Sequence, residues 1–280
     1  MQLYIKNNYA SKLNMGNPSS KLVHSSVFPE LHNTRSTKEI LEWLENHKFV
    51  LSAPSGHTIS QSTIHYTRDS EKSTYSDICL VYLHGNAEDM CSVDIFKQCE
   101  TYQLVAFEYP GYGIRQDESI DEKALVDAVP LMAEWLRDNV PEDKKIVICG
   151  RSLGTFVALR LAHELEGMCK ALILVSPMLS AISTRVSAPW YHFLWPIDMI
   201  HNKDFVTNEY ENKTSSVMLI HGKKDEIVPC DHSACLAESL KKKNIEVDVR
   251  MLPHADHNDI FVHGETWQYI KEVLKAKQCQ

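Results

Sequence analysis

The chain has 280 residues, of which 44% are hydrophobic, and a formal net charge of −8. It is therefore long and apolar enough for one large domain with a sizeable buried core, and its acidic balance excludes a general nucleic-acid binder, because phosphate contacts require a basic face. The N-terminus lacks the apolar stretch of a secretory signal, and no window approaches the roughly 20 apolar residues of a membrane-spanning helix. The eight cysteines are scattered without paired spacing, which favours free thiols in a soluble, intracellular protein.

Residues 1–34 are polar and lack apolar periodicity, which is typical of a tail outside a folded domain. The stretch "MGNPSSKL", which begins at Met15, matches the pattern for N-terminal myristoylation, in which an exposed glycine is followed by serine or threonine four positions later. Because an internal glycine cannot be acylated, the motif would function only if translation began at Met15. We hypothesise that it does, that residues 1–14 are an upstream extension, and that Gly16 is then myristoylated.

The folded domain is predicted to extend from residue 35 to residue 280. Its first helix starts at Ser36, whose side chain can cap the helix while Glu39 reaches back to the cap. Two short strands follow, in "FVLSAPSG" and "HTISQSTIHY", and the turn around Gly56 between them indicates an antiparallel hairpin.

Apolar runs typical of strands buried on both faces then alternate with helical segments. The predicted strands are "DICLVYLH", "QLVAFEYP", "KIVICG", "ALILVSP", "SVMLIHG" and "EVDVRML", and the predicted helices cover residues 90–102, 121–139, 152–166, 231–243 and 267–275. This alternation predicts the α/β class, with a mostly parallel sheet of about eight strands flanked by helices.

One segment, at about residues 180–216, interrupts the alternation and carries several aromatic side chains in close succession. An insertion of this length in a compact domain is more often a lid or a substrate-facing excursion than an idle loop. We expect Trp190, Phe193 and Trp195 to line a substrate site, and ordinary packing of these rings against the sheet is the alternative interpretation.

The sharpest motif is "CGRSLGT", which contains Gly150-x-Ser152-x-Gly154. The strand-like run before it and the helical run after it form the strand, sharp turn and helix of a nucleophile elbow. Such a turn leaves no room for side chains at the two glycines. Ser152 also lies at a helix N-terminus, where backbone N–H groups favour developing negative charge. The pattern predicts that Ser152 is a nucleophile, and simple helix capping is the alternative.

A serine hydroxyl needs a base to take its proton and a carboxylate to hold that base. Asp225 follows the strand "SVMLIHG", and the stretch "LPHADHNDIF" after the last strand offers His254 and His257. Serine, acid and histidine in this order match the chain order of the α/β-hydrolases. We prefer His257 because it lies further into the loop after the strand, and His254 remains the alternative.

Attack by serine also requires backbone donors for the oxyanion of the tetrahedral intermediate. In "YLHGNAED" a strand ends at His84, so Gly85 can turn the chain and direct the N–H of Asn86 at the substrate oxygen, while Leu153 supplies the second N–H. We interpret His84 as a packing or hydrogen-bonding residue. Histidines and aspartates near His257 could ligate a metal, but no further ligand group stands at a recognisable spacing, and we predict neither a metal nor a cofactor.

Five stretches together resemble the alpha/beta hydrolase domain-containing protein 17 family over roughly residues 45–275. They are "HGNAED", "YPGYG", "GRSLGT", "HGKKDEIVP" and "HNDI". The resemblance implies the α/β-hydrolase fold and removal of palmitate from cysteine thioesters of membrane-associated proteins, and it favours His257, because the family's histidine precedes Asn-Asp. The N-terminal cysteine cluster of animal members is absent, since no cysteine precedes Cys79, whereas other eukaryotic relatives begin with Met-Gly-Asn, as the stretch from Met15 does.

We therefore expect a serine hydrolase in which Ser152 attacks an acyl thioester, His257 serves as general base and then acid, and Asp225 orients and stabilises the imidazolium. The aromatic segment would form an apolar wall for a long acyl chain. The expected substrates are S-acylated proteins, and the enzyme is expected to be a cytoplasmic monomer bound peripherally to membranes. The alternatives are an esterase or lipase acting on small lipid esters, such as monoacylglycerol or lysophospholipid, and a non-catalytic scaffold with a hydrolase fold.

Overall fold

The computed structural model describes residues 35–52, 63–68, 72–86, 88–165, 167–184, 200–210 and 216–279. The predicted tail, with Met15 and Gly16, lies outside the described residues. Trp190, Phe193 and Trp195 of the predicted lid lie outside them as well. The domain boundaries and the lid therefore stay predictions.

Eight strands in the described ranges form one sheet with the order β1-β2-β4-β3-β5-β6-β7-β8. The strands are β1 (Val50–Ser52), β2 (Thr63–Thr67), β3 (Tyr75–Leu83), β4 (Thr101–Phe107), β5 (Lys145–Arg151), β6 (Cys169–Val175), β7 (Val217–Gly222) and β8 (Val247–Leu252). β2 is antiparallel to both of its neighbours, β1 and β4, whereas every other neighbouring pair is parallel. The antiparallel pairing of the two predicted hairpin strands and the mostly parallel sheet are confirmed, whereas the predicted turn around Gly56 lies outside the described residues.

Helices cover both faces of this sheet. They are α1 (Thr37–His47), α2 (Glu122–Asn139), α3 (Gly154–Glu164), α4 (Asn202–Asn208), α5 (Asp231–Lys241) and α6 (Gly264–Gln278). Successive residues of a strand point to opposite faces, so Val81 of β3 belongs to the core that includes side chains of α2 and α3, and Leu80 belongs to the core that includes side chains of α1 and α6. The central strands are therefore buried on both sides, as their apolar runs predict. Among the described residues, no helix is long and apolar enough to cross a bilayer.

The first helix has the cap that its sequence predicts. The Ser36 hydroxyl accepts a hydrogen bond from the Glu39 backbone N–H at 3.3 Å, and the Glu39 carboxylate accepts one from the Ser36 N–H at 2.8 Å. This reciprocal pair satisfies two donors that the first helical turn leaves without intrahelical partners.

The helix predicted for residues 90–102 is present, but its predicted end was wrong. A 3₁₀ helix covers Met90–Cys99, and β4 begins at Thr101, two residues before the predicted strand. The helix stops because Glu100 adopts a left-handed φ of 52° and returns its N–H to the Lys97 carbonyl. Such a turn ordinarily favours glycine, so the sequence carries no signal for it.

Two other helix starts differ from prediction by more than one residue. Helix α6 begins at Gly264, three residues before the predicted start, and His263, which precedes it, makes no side-chain cap that a sequence pattern could indicate. Helix α3 begins at Gly154 and not at residue 152, because Ser152 has a left-handed φ of 50° that no helical residue adopts.

The eight cysteines are free, as expected, and their burial predicts their reactivity. Five are buried, at Cys79, Cys91, Cys99, Cys149 and Cys169, whereas Cys235 and Cys279 are exposed. Burial raises the pKa of the Cys99 thiol to about 12 and holds that of Cys149 well above its ordinary value. Since the thiolate is the nucleophile, buried thiols are doubly protected.

We predict that iodoacetamide at neutral pH alkylates Cys235 and Cys279 in the native protein and spares the five buried cysteines until urea unfolds the chain. Peptide mapping by mass spectrometry measures the modification at each site. Alkylation of Cys149 at the rate of Cys235 under native conditions would contradict the described core.

Candidate active site

The turn between β5 and α3 has the geometry of a nucleophile elbow. Ser152 takes the left-handed backbone conformation, with φ of 50°. A Cβ atom on Gly150 would lie 2.6 Å from the Gly154 carbonyl oxygen, and a Cβ atom on Gly154 would overlap the Leu83 carbonyl of β3. Only glycine fits at either position, as the motif predicts. The start of α3 therefore packs directly against the end of β3 and leaves Ser152 at the tip of the turn.

Three of the predicted site residues lie in one chain of contacts at the carboxyl edge of the sheet. The Oγ of Ser152 is 3.1 Å from Nε2 of His257, and Nδ1 of His257 is 2.8 Å from Oδ2 of Asp225. An ionised carboxylate can only accept, so Nδ1 carries the proton, and Nε2 is left to accept the proton of the serine hydroxyl. All three side chains are buried.

The carboxylate of Asp225 is surrounded by donors. Its Oδ1 accepts hydrogen bonds from the backbone N–H groups of Ile227 and Val228 at 3.0 and 2.7 Å, and its Oδ2 lies 3.2 Å from Nε2 of His221. Burial by itself would raise the pKa of Asp225, but the hydrogen bonds from His221 and His257, together with the Val228 N–H, hold this pKa well below its ordinary value. Asp225 is therefore ionised and fixed in orientation.

The contact from His221 is one that sequence reasoning missed. Nε2 of His221 faces both the Val228 carbonyl, at 2.9 Å, and Oδ2 of Asp225, so this nitrogen carries the proton. Nδ1 then accepts from the Ser233 hydroxyl of α5 at 2.7 Å. The sequence "HGKKD" shows the two residues four positions apart, but only the turn after β7 brings the ring onto the carboxylate. The bond from His221 to the Val228 carbonyl also stabilises this turn.

Two aspartates stabilise the loop that carries His257, and both were among the possible metal ligands considered from the sequence. Oδ1 of Asp256 accepts hydrogen bonds from the N–H groups of Asn258 and Asp259 at 2.7 and 2.9 Å, and Oδ1 of Asp259 accepts one from the Asp256 N–H at 2.8 Å. The side chain of His254 is exposed and lies outside the contact chain. No group of three or more potential ligands that could hold a metal ion occurs in the described ranges.

The predicted oxyanion loop follows β3 and lies beside Ser152. A Cβ atom on Gly85 would be 3.6 Å from the Cβ of Ser152, and the amide oxygen of Asn86 accepts a hydrogen bond from the Tyr112 hydroxyl at 2.7 Å. Leu153 is buried immediately before α3, at the end of the helix where backbone N–H groups point outward. Both residues are thus placed beside Ser152, while their role as donors stays a prediction.

His84 stabilises the start of the loop that follows β3. Its ring is fully buried, stacks on Tyr109 with 4.1 Å between ring centroids, and places Nε2 3.0 Å from Oε1 of Glu108 and Nδ1 2.9 Å from the Gly85 carbonyl. Burial raises the pKa of Glu108 above its ordinary value, although the hydrogen bond from His84 opposes this shift. The interpretation of His84 as a packing and hydrogen-bonding residue is confirmed.

The depressed pKa of Asp225 predicts how stability depends on pH. Its ionised form is favoured by folding, so its contribution to the free energy of unfolding is present above about pH 3.9, the ordinary value for unfolded aspartate, and is lost as the pH falls through the lower folded value. We expect the stability difference between wild type and Asp225→Asn, measured by urea unfolding, to shrink as the pH falls from about 5 to about 3. A difference that stays constant over this range would contradict the described hydrogen bonds.

Comparison with known proteins agrees with this geometry. The prolyl oligopeptidase family matches residues 118–276. The chain is 28% identical over 200 residues to the alpha/beta hydrolase L404 of Acanthamoeba polyphaga mimivirus, covering 70% of this chain and 72% of that protein. It is 27% identical over 223 residues to alpha/beta hydrolase domain-containing protein 17C of Xenopus laevis, covering 75% of this chain but only 64% of that relative, which is less than two thirds of its length.

The fold also matches solved structures. An esterase of Pyrococcus furiosus, Pf2001, superposes with a TM-score of 0.60 at 20% identity and covers 83% of this chain and 92% of that structure. The resemblance to the alpha/beta hydrolase domain-containing protein 17 family, made on five short stretches, is confirmed by the curated relatives. The matched segment exceeds half of the chain and includes Ser152, Asp225 and His257, and we conclude that this chain is a hydrolase of the α/β-hydrolase fold that belongs to the prolyl oligopeptidase family.

Proposed function

We propose that the protein is a serine hydrolase that removes long acyl chains from cysteine thioesters of S-palmitoylated proteins. The observation that carries the proposal is the chain of contacts from Ser152 Oγ to His257 Nε2, at 3.1 Å, and from His257 Nδ1 to Asp225 Oδ2, at 2.8 Å. A hydroxyl, an imidazole in the correct tautomer and an ionised carboxylate are the groups that nucleophilic acyl transfer requires.

The reaction follows from where the protons can go. As Ser152 Oγ bonds to the acyl carbon, its proton passes to Nε2 of His257, and the charge on the imidazolium is stabilised by Asp225. The oxyanion would be held by the N–H groups of Asn86 and Leu153. When the intermediate collapses, the carbon–sulfur bond breaks and His257 returns the proton to the departing thiolate. Water then attacks the acyl-enzyme by the same route, which releases the fatty acid and restores Ser152.

The choice of a thioester is supported by the family resemblance and by leaving-group chemistry. The ordinary pKa of a cysteine thiol is about 8.5, so its thiolate leaves with little help from an acid, whereas the amine of a peptide bond must be protonated as it leaves. A long acyl chain would gain about 0.8 kcal/mol for each methylene group that becomes buried. We propose that Trp190, Phe193 and Trp195, which lie outside the described residues, form the apolar surface that buries this chain.

Membrane-bound substrates would require the enzyme to meet the bilayer. In this proposal, translation from Met15 exposes Gly16 for myristoylation and places the enzyme on the cytoplasmic face of membranes. A single myristoyl chain supports only marginal, reversible binding, so contact with the acylated substrate itself would add the second attachment. Monoacylglycerol or lysophospholipid remain the alternative substrates.

We predict that Ser152→Ala lowers hydrolysis of an S-palmitoyl peptide by at least about 10⁴-fold and abolishes labelling by a fluorophosphonate probe. The matched control is Ser239→Ala, because the Ser239 hydroxyl donates to the Cys235 carbonyl within α5 and its loss should leave activity unchanged. Released peptide is measured by chromatography.

The substrate class is tested with the wild-type enzyme on three substrates: the S-palmitoyl peptide, a monoacylglycerol of the same chain length, and a prolyl-peptide anilide. We expect the thioester to give the highest kcat/KM and the anilide to give no turnover. Equal or faster turnover of the monoacylglycerol would overturn the thioester assignment and leave the serine hydrolase intact. A wild type that fails to label at Ser152 would instead support a scaffold.

The contact between His221 and Asp225 predicts a graded loss of activity. His221→Leu removes the donor to Oδ2, which lets the carboxylate turn away from His257, and we expect kcat to fall roughly 10- to 100-fold with little change in KM. His221→Gln, whose amide N–H can reach the same oxygen, should recover part of this loss. We expect the largest fall in kcat, about 10⁴-fold, for Asp225→Asn. A His221→Leu enzyme with wild-type kcat would contradict the role of His221 in orienting Asp225.

A further inference from the structure

An ion pair between Glu88 and Arg151 lies directly behind the site, and the acyl-transfer chemistry does not use it. Arg151 stands between Gly150 and Ser152 at the end of β5, and Glu88 stands at the end of the oxyanion loop. Nη1 of Arg151 contacts Oε1 of Glu88, and the two side chains are only 10% and 18% exposed. The pair therefore joins two loops in a site that is largely shielded from water.

The second oxygen of Glu88 closes the oxyanion loop. Oε2 accepts a hydrogen bond from the Gly85 backbone N–H at 2.9 Å and another from the hydroxyl of Tyr82 at 3.0 Å. Tyr82 is a buried residue of β3, so it ties the carboxylate to the sheet. The bond to the Gly85 N–H holds the peptide between His84 and Gly85, which is the one immediately before the peptide that carries the predicted donor, the Asn86 N–H.

The other end of the guanidinium reaches the loop of the histidine. Nη2 of Arg151 donates to the backbone carbonyl of His257 at 2.8 Å. The guanidinium of Arg151 therefore contacts the oxyanion loop through Glu88 and the histidine loop through the His257 carbonyl. The backbone of Arg151 is bonded directly to Ser152. A guanidinium has five N–H donors in a rigid fork, whereas the lysine ammonium is a single point on a flexible stem.

We propose that Glu88 and Arg151 form a clasp of two positioning residues, which holds the oxyanion loop and the His257 loop at fixed distances from Ser152. Neither residue contacts the reacting atoms. The clasp acts through the Gly85 N–H on one side and the His257 carbonyl on the other, and its effect is confined to the step in which the hydroxyl, the imidazole and the oxyanion donors must be aligned. Misplacement of such groups by about 1 Å can cost on the order of 100-fold in rate.

This inference rests on the serine hydrolase part of the proposed function. Three variants test it: Glu88→Gln, whose amide oxygen can still accept from Gly85 and Tyr82 but carries no charge; Arg151→Lys, which keeps the charge but cannot reach both loops; and the double variant of Glu88→Gln with Arg151→Lys. Removing one partner of a buried ion pair can itself destabilise the fold, so activity is calculated per labelled site, which separates it from folding. Arg250→Gln serves as the matched control, because Arg250 pairs with Asp248 on the partly exposed surface of β8.

The measurements are kcat and KM on a p-nitrophenyl acyl ester, the rate constant of fluorophosphonate labelling, and the melting temperature, with kcat calculated per labelled site. For each single variant we expect kcat and the labelling rate to fall about 10- to 100-fold with KM changed by less than about threefold. The double variant should lose no more than the worse single variant, because each single change already opens the clasp. The Arg250→Gln control should match wild type in every measurement.

Three outcomes would overturn the clasp. The first is a pair of single variants with wild-type kcat per labelled site. The second is a double variant whose loss equals the product of the single losses, which would mean that the residues act independently. The third is a fall in melting temperature together with a fall in the labelled fraction, while kcat per labelled site stays constant, which would show a purely structural role. In each case labelling of wild-type Ser152 still supports the proposed function, whereas no labelling of wild type would defeat that function first.

Discussion

The structure around the site depends on one close backbone contact, between Gly154 at the start of α3 and the carbonyl of Leu83 at the end of β3. The contact allows no Cβ atom at Gly154, and Gly150 is restricted in the same way by the Gly154 carbonyl. With the helix held this close to the sheet, the chain can pass from β5 into α3 only through a sharp turn. Ser152 occupies the strained position of that turn, with a left-handed φ of 50°. This backbone conformation costs on the order of 1 kcal/mol or more, which the surrounding packing must offset. Its hydroxyl is thereby presented at the edge of the sheet.

The parallel arrangement of the strands explains how residues that are distant in sequence meet at this edge. The carboxyl ends of parallel strands lie on the same side of a sheet, and ligands bind there in open α/β folds. Ser152 follows β5, Asp225 follows β7 and His257 follows β8. Ser152 and His257, which are in contact, are 105 positions apart along the chain, and Asp225 and His257 are 32 apart. A single topology therefore assembles the contact chain without any long-range motif in the sequence.

Two buried carboxylates show how hydrogen-bond donors and burial act in opposite directions on the pKa of a carboxyl group. Asp225 receives two backbone N–H groups and two histidine nitrogens, and these outweigh the cost of burial and lower its pKa. The carboxylate of Glu108 has a hydrogen bond with Nε2 of His84 at 3.0 Å and only a long one from the Met90 N–H at 3.5 Å. The effect of burial is therefore larger, and the pKa of Glu108 is raised. The first environment holds a permanent negative charge beside the imidazole, and the second supports the oxyanion loop through a short-range hydrogen bond. The carboxylate with more donors has the lowered pKa, and the more deeply buried carboxylate with fewer donors has the raised one.

The α/β class, the nucleophile elbow and the order of serine, acid and histidine can be predicted from the residues alone, because these features are local patterns. They are the period of apolar residues, two glycines around a serine, and polar residues just after strands. The residues alone left open the choice between His254 and His257. The family resemblance favoured His257, and the loop geometry places His257 against Asp225. The contact of His221 with that carboxylate, and the contacts of Arg151 with Glu88 and the His257 loop, could be found only in the folded chain. Each joins segments whose separation in sequence carries no periodic signal, and their geometry exists only after the strands have taken their order in the sheet.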